Sequence, residues 1–154
     1  MYTLSPLSAE DVASFFLHDP KLALLALPDE DLHTLKVEGK FYLDSDAYAE
    51  GVYEDGEMVG VLRWNMFTDI VINIHFYLNS KHHGTGKSKD VHASILKWVG
   101  ESGRVRRIVV FSPSPCEHVH RALLGAGFEQ EGRIKESMRW RQQVVDMLIY
   151  GRNL

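Results

Sequence analysis

The sequence predicts an α+β fold, a mixed and mostly antiparallel central sheet with helices on both faces. Two observations predict it. Three strand-like stretches, Tyr48 to Tyr53, Glu57 to Phe67 and Ile70 to Leu78, follow one another with only the turns Asp55-Gly56 and Thr68-Asp69 between them, so they are laid down antiparallel. The third then runs into a glycine-bearing turn, a helical pattern from Asp90 to Val99 and a further strand, Arg107 to Phe111, which together make one parallel crossover. A Rossmann or P-loop domain alternates parallel strands with helices from the start, and this chain does not.

Each element has a local reason. Tyr2 to Leu7 alternates as a short first strand. Ser8 followed by Glu10 and Asp11 reads as a helix cap with an acidic first turn, and Val12, Phe15 and Phe16 give that helix a buried face until His18-Asp19-Pro20 breaks it. Lys21 to Leu27 is a second helical stretch, stopped by Pro28. Asp29 to Leu35 is a third, with Leu32 and Leu35 inward. Asp44 to Ala49 carries no clear pattern. Beyond the crossover helix, whose apolar face is Val91, Ile95, Trp98 and Val99 and which Gly100 and Gly103 close, Ser112-Pro113-Ser114-Pro115 is expected to end the Arg107 to Phe111 strand. A helix over Glu117 to Ala126 and two last strands, roughly Phe128 to Ser137 and Val144 to Tyr150, complete the order.

Composition narrows the function. The chain has 154 residues, 45% hydrophobic and 25% charged, which suits a single domain over 1–154. A formal charge of -4 and a pI near 6 argue against nucleic acid or an anionic membrane as the main partner, because both need a net basic surface. One cysteine, Cys116, allows no internal disulfide, and Met1-Tyr2-Thr3-Leu4 shows no signal-peptide pattern, so the expected compartment is the cytoplasm. No apolar run reaches the length of a membrane span.

The chemistry centres on Lys81-His82-His83-Gly84-Thr85-Gly86-Lys87-Ser88. Glycines between a strand and a helix let backbone amides approach an anion, and the free amides of the helix start hold it. Gly86-Lys87-Ser88 matches the end of a Walker A loop, but Lys81 stands where that loop needs glycine. No magnesium-binding aspartate follows Ile108 to Phe111 either, so a P-loop-like nucleotide binder is a remote alternative. In the strand before the loop, Ile70, Ile72, Ile74, Phe76 and Leu78 share one face. Val71, Asn73, His75 and Tyr77 share the other, whose imidazole, amide and phenol suit the wall of a reaction site. His118 and His120 diverge on a helix and His82 and His83 are adjacent, so no metal site is expected.

Lys81-x-x-Gly84-x-Gly86 resembles the Q/R-x-x-G-x-G/A pyrophosphate loop of the GNAT superfamily of acyl-CoA-dependent N-acyltransferases. Gly125-Ala126-Gly127-Phe128-Glu129-Gln130-Glu131-Gly132, with Asp146-Met147-Leu148-Ile149-Tyr150-Gly151, is similar to the ending of its ribosomal-protein-alanine acetyltransferase branch. Leu4-Ser5-Pro6-Leu7-Ser8-Ala9-Glu10-Asp11 is similar to that branch's opening. The resemblance covers nearly the whole chain and implies a single GNAT-like N-acetyltransferase domain, its sheet splayed at the cofactor site. It implies acetyl-CoA between the strand ending at Leu78 and the strand ending at Phe111, and an amine acceptor of unidentified kind. The backbone of Phe76, Tyr77 and Leu78 would pair with the pantetheine amides. The amides of His82, His83, Gly84, Thr85, Gly86, Lys87 and Ser88 would take the pyrophosphate, beside Lys81 in place of the usual Gln or Arg. A basic rim of Lys81, Lys87, Lys89, Arg104, Arg106 and Arg107 would attract the 3′-phosphate. A backbone N–H near Tyr77 would polarise the thioester carbonyl. His75 is the first candidate general base, with Glu54 and Asp69 as runners-up. A homodimer through the last strands is a further implication.

Three positions depart from the branch. Cys116, kept here as a cofactor-contact position, stands where many members have asparagine. Leu123 stands where many have a tyrosine general acid, and Val119 where serine is common. The alternative reading is therefore a GNAT-fold protein with weakened or absent catalysis, serving as a binding or assembly component, of a kind found among phage-encoded proteins.

Overall fold

A computed structural model describes all 154 residues. It holds a seven-stranded mixed sheet in the order β1-β2-β3-β4-β5-β7-β6 and five α-helices. No helix is long and apolar enough to cross a membrane. The residues form two compact units, Met1–Asn65 with His75–Lys87, and Met66–Ile74 with Ser88–Leu154.

In the first unit β1 (Tyr2–Pro6) leads into α1 (Ala9–Leu17) through a capping box. The Asp11 amide donates to Ser8 Oγ and the Ser8 amide to Asp11 Oδ2, both at 3.1 Å. Val12, Ala13, Phe15 and Phe16 are buried, the expected face with one alanine added. Asp19 caps α2 (Pro20–Ala26), where Pro20 at the first helical position costs no hydrogen bond. The third helix, α3 (Asp29–Glu38), runs past the expected Leu35 until Gly39 takes a left-handed conformation at φ 64°. The hairpin of β2 (Tyr48–Glu54) and β3 (Glu57–Met66) turns on Asp55-Gly56, at φ 51° and 81°, the paired positive angles of a two-residue turn. At the centre of the core, Phe16 lies against Phe41 at 5.8 Å and edge-on to Tyr77 at 5.1 Å. Such ring pairs add about 1 kcal/mol each beyond their area burial.

The strand β4 (Val71–Leu78) contributes to both units. Ile72, Ile74 and Leu78 are buried as expected, but Ile70 precedes the strand and is 47% exposed. On the opposite face Tyr77 is not a pocket wall: its ring is core, packed on Phe16, because α1 brings an aromatic surface to it.

In the second unit β4 pairs in parallel with β5 (Arg107–Pro113) at Val71 to Asn73. The connecting helix α4 (Lys87–Glu101) buries Val91, Ile95 and Val99 and begins three residues before the expected Asp90. The Ser112-Pro113 segment does not end the ladder. Ser112 and Pro113 still pair with β7 (Gln143–Asn153), and the Ser114 amide donates to the Asp146 carbonyl at 2.9 Å. Alternate amides of a strand point to opposite edges, so the N–H that Pro113 lacks falls on the edge away from β7. Beyond α5 (Glu117–Gly125), β6 (Glu129–Trp140) and β7 extend further than expected. Arg141 and Gln142 make a glycine-free turn at φ 52° and 65°.

Candidate active site

The loop that carries the sequence signal is built by residues on both sides of it. At the end of β4 the Asn79 amide donates to the Val59 carbonyl at 2.8 Å, which closes the ladder to β3. Asn79 Oδ1 then accepts the Lys81 amide at 3.1 Å and opens a 3-10 turn, Ser80–His82. His83 Nε2 donates to the Leu78 carbonyl at 2.9 Å, since a carbonyl can only accept, and this fixes the ring's tautomer. Asp19 secures the turn from below: it accepts the Ser80 amide at 2.8 Å and the Ser80 hydroxyl at 2.7 Å. Burial works against the Asp19 charge, but the Ser80 and Leu22 hydrogen bonds outweigh it and hold the carboxyl below its ordinary range.

Within the loop, the His82 and His83 amides are already engaged, to the carbonyls of Asn79 and Ser80 at 3.0 and 3.1 Å. The Thr85 hydroxyl donates to the His82 carbonyl at 2.6 Å. Gly84 and Gly86 stand at φ 74° and 82°, and a Cβ added at either would meet nothing within 4 Å. Space for a ligand therefore lies over the glycines, next to the helix start at Lys87, where first-turn amides have no intrahelical partner. Lys81 pairs with Glu57, and Lys87 with Glu54.

His75 and Arg63 form a second polar group in the same unit. Counting back along the antiparallel ladder from Asn79 and Val59 sets Val61 across from Tyr77 and Arg63 across from His75. His75 keeps part of its surface accessible, but protein encloses enough of it that burial, aided by the Arg63 charge, pulls its pKa down from 6.5 to about 4. It is a neutral imidazole at neutral pH. Arg63 lies 3.8 Å from Asp31 and 5.6 Å from the centre of the Phe41 ring. Burial raises the Asp31 carboxyl, partly opposed by Arg63. Burial likewise raises the Tyr77 phenol, although an Arg63 hydrogen bond pulls the other way.

In the second unit Cys116 caps α5 and is buried, which raises its thiol pKa. Four residues on, His120 Nε2 meets Ser112 Oγ at 3.1 Å and the imidazole stacks on Tyr150 at 5.4 Å. Leu123 is buried. Of the runners-up, Glu54 is the partner of Lys87, and Asp69 offers its carbonyl to Arg104 Nε at 3.2 Å.

Sequence reasoning missed Asp19, Glu57 and Arg63. The His18-Asp19-Pro20 step reads only as the break that ends the first helix, and nothing in it points to the cap of α2 or to Ser80. Only the alternation of β3 could have set Arg63 on the His75 face.

The fold is that of the GNAT acetyltransferases. The chain is 23% identical over 120 residues to a ribosomal-protein-serine acetyltransferase of Escherichia coli (strain K12), covering 75% of this chain and 67% of that protein. It superposes on a ribosomal L7/L12 α-N-protein acetyltransferase in complex with coenzyme A with a TM-score of 0.73 at 16% identity, over 99% of this chain and 94% of the other. It also superposes on the microcin C7 self-immunity acetyltransferase in complex with acetyl-CoA and AMP, with a TM-score of 0.68 at 15% identity, over 98% and 92% of the two chains. No protein-family model matches the chain.

Proposed function

We propose that the chain is an N-acetyltransferase that moves the acetyl group of acetyl-CoA to a primary amine, on a small molecule or on a protein N-terminus or lysine. The observation that carries this reading is the open, positive-φ glycine pair over the start of α4. It is joined by the likeness to acetyltransferases, two of them holding coenzyme A or acetyl-CoA. Gly84, Gly86 and Ser88 supply amides for the pyrophosphate, those of Thr85 and Lys87 being already engaged to the His82 carbonyl and the Thr85 hydroxyl at 3.4 Å, and Lys81 and Lys87 supply charge. Phe76 and Leu78 offer their backbone to the pantetheine as a strand edge offers itself to a peptide, whereas Tyr77, across from Val61, directs its backbone groups to β3. The Phe76 N–H, beside Tyr77 on the edge of β4 turned away from β3, polarises the thioester carbonyl; the Tyr77 N–H itself points to Val61 on β3, as alternation from Asn79 requires. The amine forms its bond to the acetyl carbon as the carbon–sulfur bond breaks, and the thiolate leaves with the electron pair and is protonated from solvent. His75, neutral and accessible in part, accepts the proton the ammonium must lose and hands it on to water, because at a pKa of about 4 it does not hold it.

A second reading, binding with weakened or absent catalysis, is favoured by two observations. His75 is a poor base, and Leu123 offers no proton to a leaving thiolate. The test is coenzyme A release from acetyl-CoA across a panel of primary amines and N-terminal peptides, run beside calorimetry with acetyl-CoA. Turnover supports the enzyme. Tight binding with no turnover on any amine supports the second reading, and no binding overturns both.

A further inference from the structure

We propose that Glu54 and Glu57, on either side of the Asp55-Gly56 turn, act as built-in counter-anions of the Lys81–Ser88 loop and so set its affinity for the phosphates of its ligand. The inference rests on the reading of that loop as a coenzyme A site.

The two carboxylates face each other across the hairpin, Glu54 paired with Glu57 in the strand register. From that one tip each reaches a different lysine. Glu54 takes Lys87 and Glu57 takes Lys81, the two long cations that bracket Gly84-Thr85-Gly86. The hydrogen bond from Lys87 holds the Glu54 carboxyl below its ordinary range, that from Lys81 does the same for Glu57, and Lys87 is raised in return. Glu54, Glu57 and Lys87 are therefore charged at neutral pH. His82 belongs to the same group. Its Nε2 is shut off from solvent without a hydrogen-bond partner, and its pKa is lowered by burial and then by Lys87 and Lys81.

The loop thus carries two cations already matched by carboxylates, beside an imidazole nitrogen, His82 Nε2, that has no partner. A pyrophosphate offers the lysines oxygen acceptors of the same sign and geometry as the carboxylates it replaces. Binding is an exchange of anions in which Glu54 and Glu57 return to water, and net affinity is the difference between two pairings. The hairpin also keeps its negative charge beside the ligand, which lowers affinity further. An anion-binding loop with uncompensated lysines would hold its ligand more tightly and with steeper salt dependence.

The test uses the full chain with Glu54→Gln, Glu57→Gln and the pair together, with folding checked by circular dichroism and the thermal midpoint. Calorimetry compares coenzyme A with pantetheine, which lacks the phosphates. From the worth of exposed ion pairs, each single change is expected to tighten coenzyme A about three- to fivefold and the pair about tenfold. Pantetheine affinity should not move, and coenzyme A binding by the double variant should fall more steeply with salt. Unchanged or weaker coenzyme A binding by the folded double variant would overturn the proposal, because the carboxylates would then be positioning the lysines for the ligand. Equal tightening of pantetheine would overturn it too, since phosphate would not be the group sensed. If neither the native chain nor any variant binds coenzyme A, it is the assignment of the loop that fails.

Discussion

The carboxylate of Asp19 holds the amide and the hydroxyl of Ser80 at once, at 2.8 and 2.7 Å, across 61 residues of sequence. The same group accepts the Leu22 amide at 3.2 Å, so one buried anion sets both the start of α2 and the entry to the glycine loop. Replacing it by alanine strands three donors. Hydrogen bonds to charged groups contribute about 1.5–3 kcal/mol each, and water entering the gap recovers some of that, so Asp19→Ala should cost about 3 kcal/mol of stability in urea unfolding. Asp19→Asn keeps an acceptor and should cost less. Both should weaken coenzyme A binding.

Gly60 on β3 is held to glycine by contact. A Cβ built there lies 2.6 Å from the Tyr77 carbonyl oxygen and 2.8 Å from the Phe76 ring. The ring can swing but the backbone oxygen cannot without moving β4, the strand proposed to face pantetheine. Gly60→Ala is expected to lower stability by about 2 kcal/mol, in the range of overpacking, and to lower the thermal midpoint.

What the sequence makes legible is what short-range chemistry decides. The Ser8–Asp11 capping box, the Asp55-Gly56 turn and the glycines of the loop each act within a few residues, and each lies where it was expected. The antiparallel run and the one parallel crossover followed from such signals, but the place of β7 between β5 and β6 did not. The rest depends on partners far apart in the chain. Pro113 looked like a strand breaker because its missing donor counts only if that edge is bonded, and the pairing with β7 leaves it on the other edge. Arg141-Gln142 carries no turn signal, yet pairing of the long flanking strands imposes positive φ on both. Tyr77 read as polar because of its hydroxyl, while its ring area decided its place beside Phe16. Lys81 and Lys87 read as free cations because nothing local shows that a hairpin tip reaches them.

Two kinds of glycine in and near α4 should respond in opposite ways. Gly84 and Gly86 have open space around them but sit at positive φ, so alanine there is strained by about 1 kcal/mol without any clash. Gly100 lies in the helix with nothing near its absent Cβ, and alanine should stabilise by about 0.5–1 kcal/mol through helix propensity. Gly84→Ala and Gly86→Ala should also weaken coenzyme A binding, since the added methyl enters the space proposed for phosphate. Gly100→Ala should leave binding unchanged. Thermal unfolding and calorimetry on the three variants read both effects.

His75 supplies a test in pH. Its folded pKa of about 4 lies below the 6.5 of the unfolded chain, so as pH falls below 6.5 the unfolded state takes up a proton that the folded state refuses. Stability is fully present above pH 6.5 and is lost between 6.5 and 4, by up to about 3 kcal/mol, less where solvent reaches the ring. Asp31 and Glu50, whose carboxyls burial raises, work in the opposite direction as pH falls, so the diagnostic is a difference. His75→Gln should flatten the pH dependence of urea unfolding over that window relative to the native chain. The ring's proton resonance should keep its neutral position at pH 5. If His75 is the base in acetyl transfer, the acid limb of kcat/KM must fall near pH 4. A limb at 6.5 would assign proton transfer to another group and leave His75 to position the acceptor.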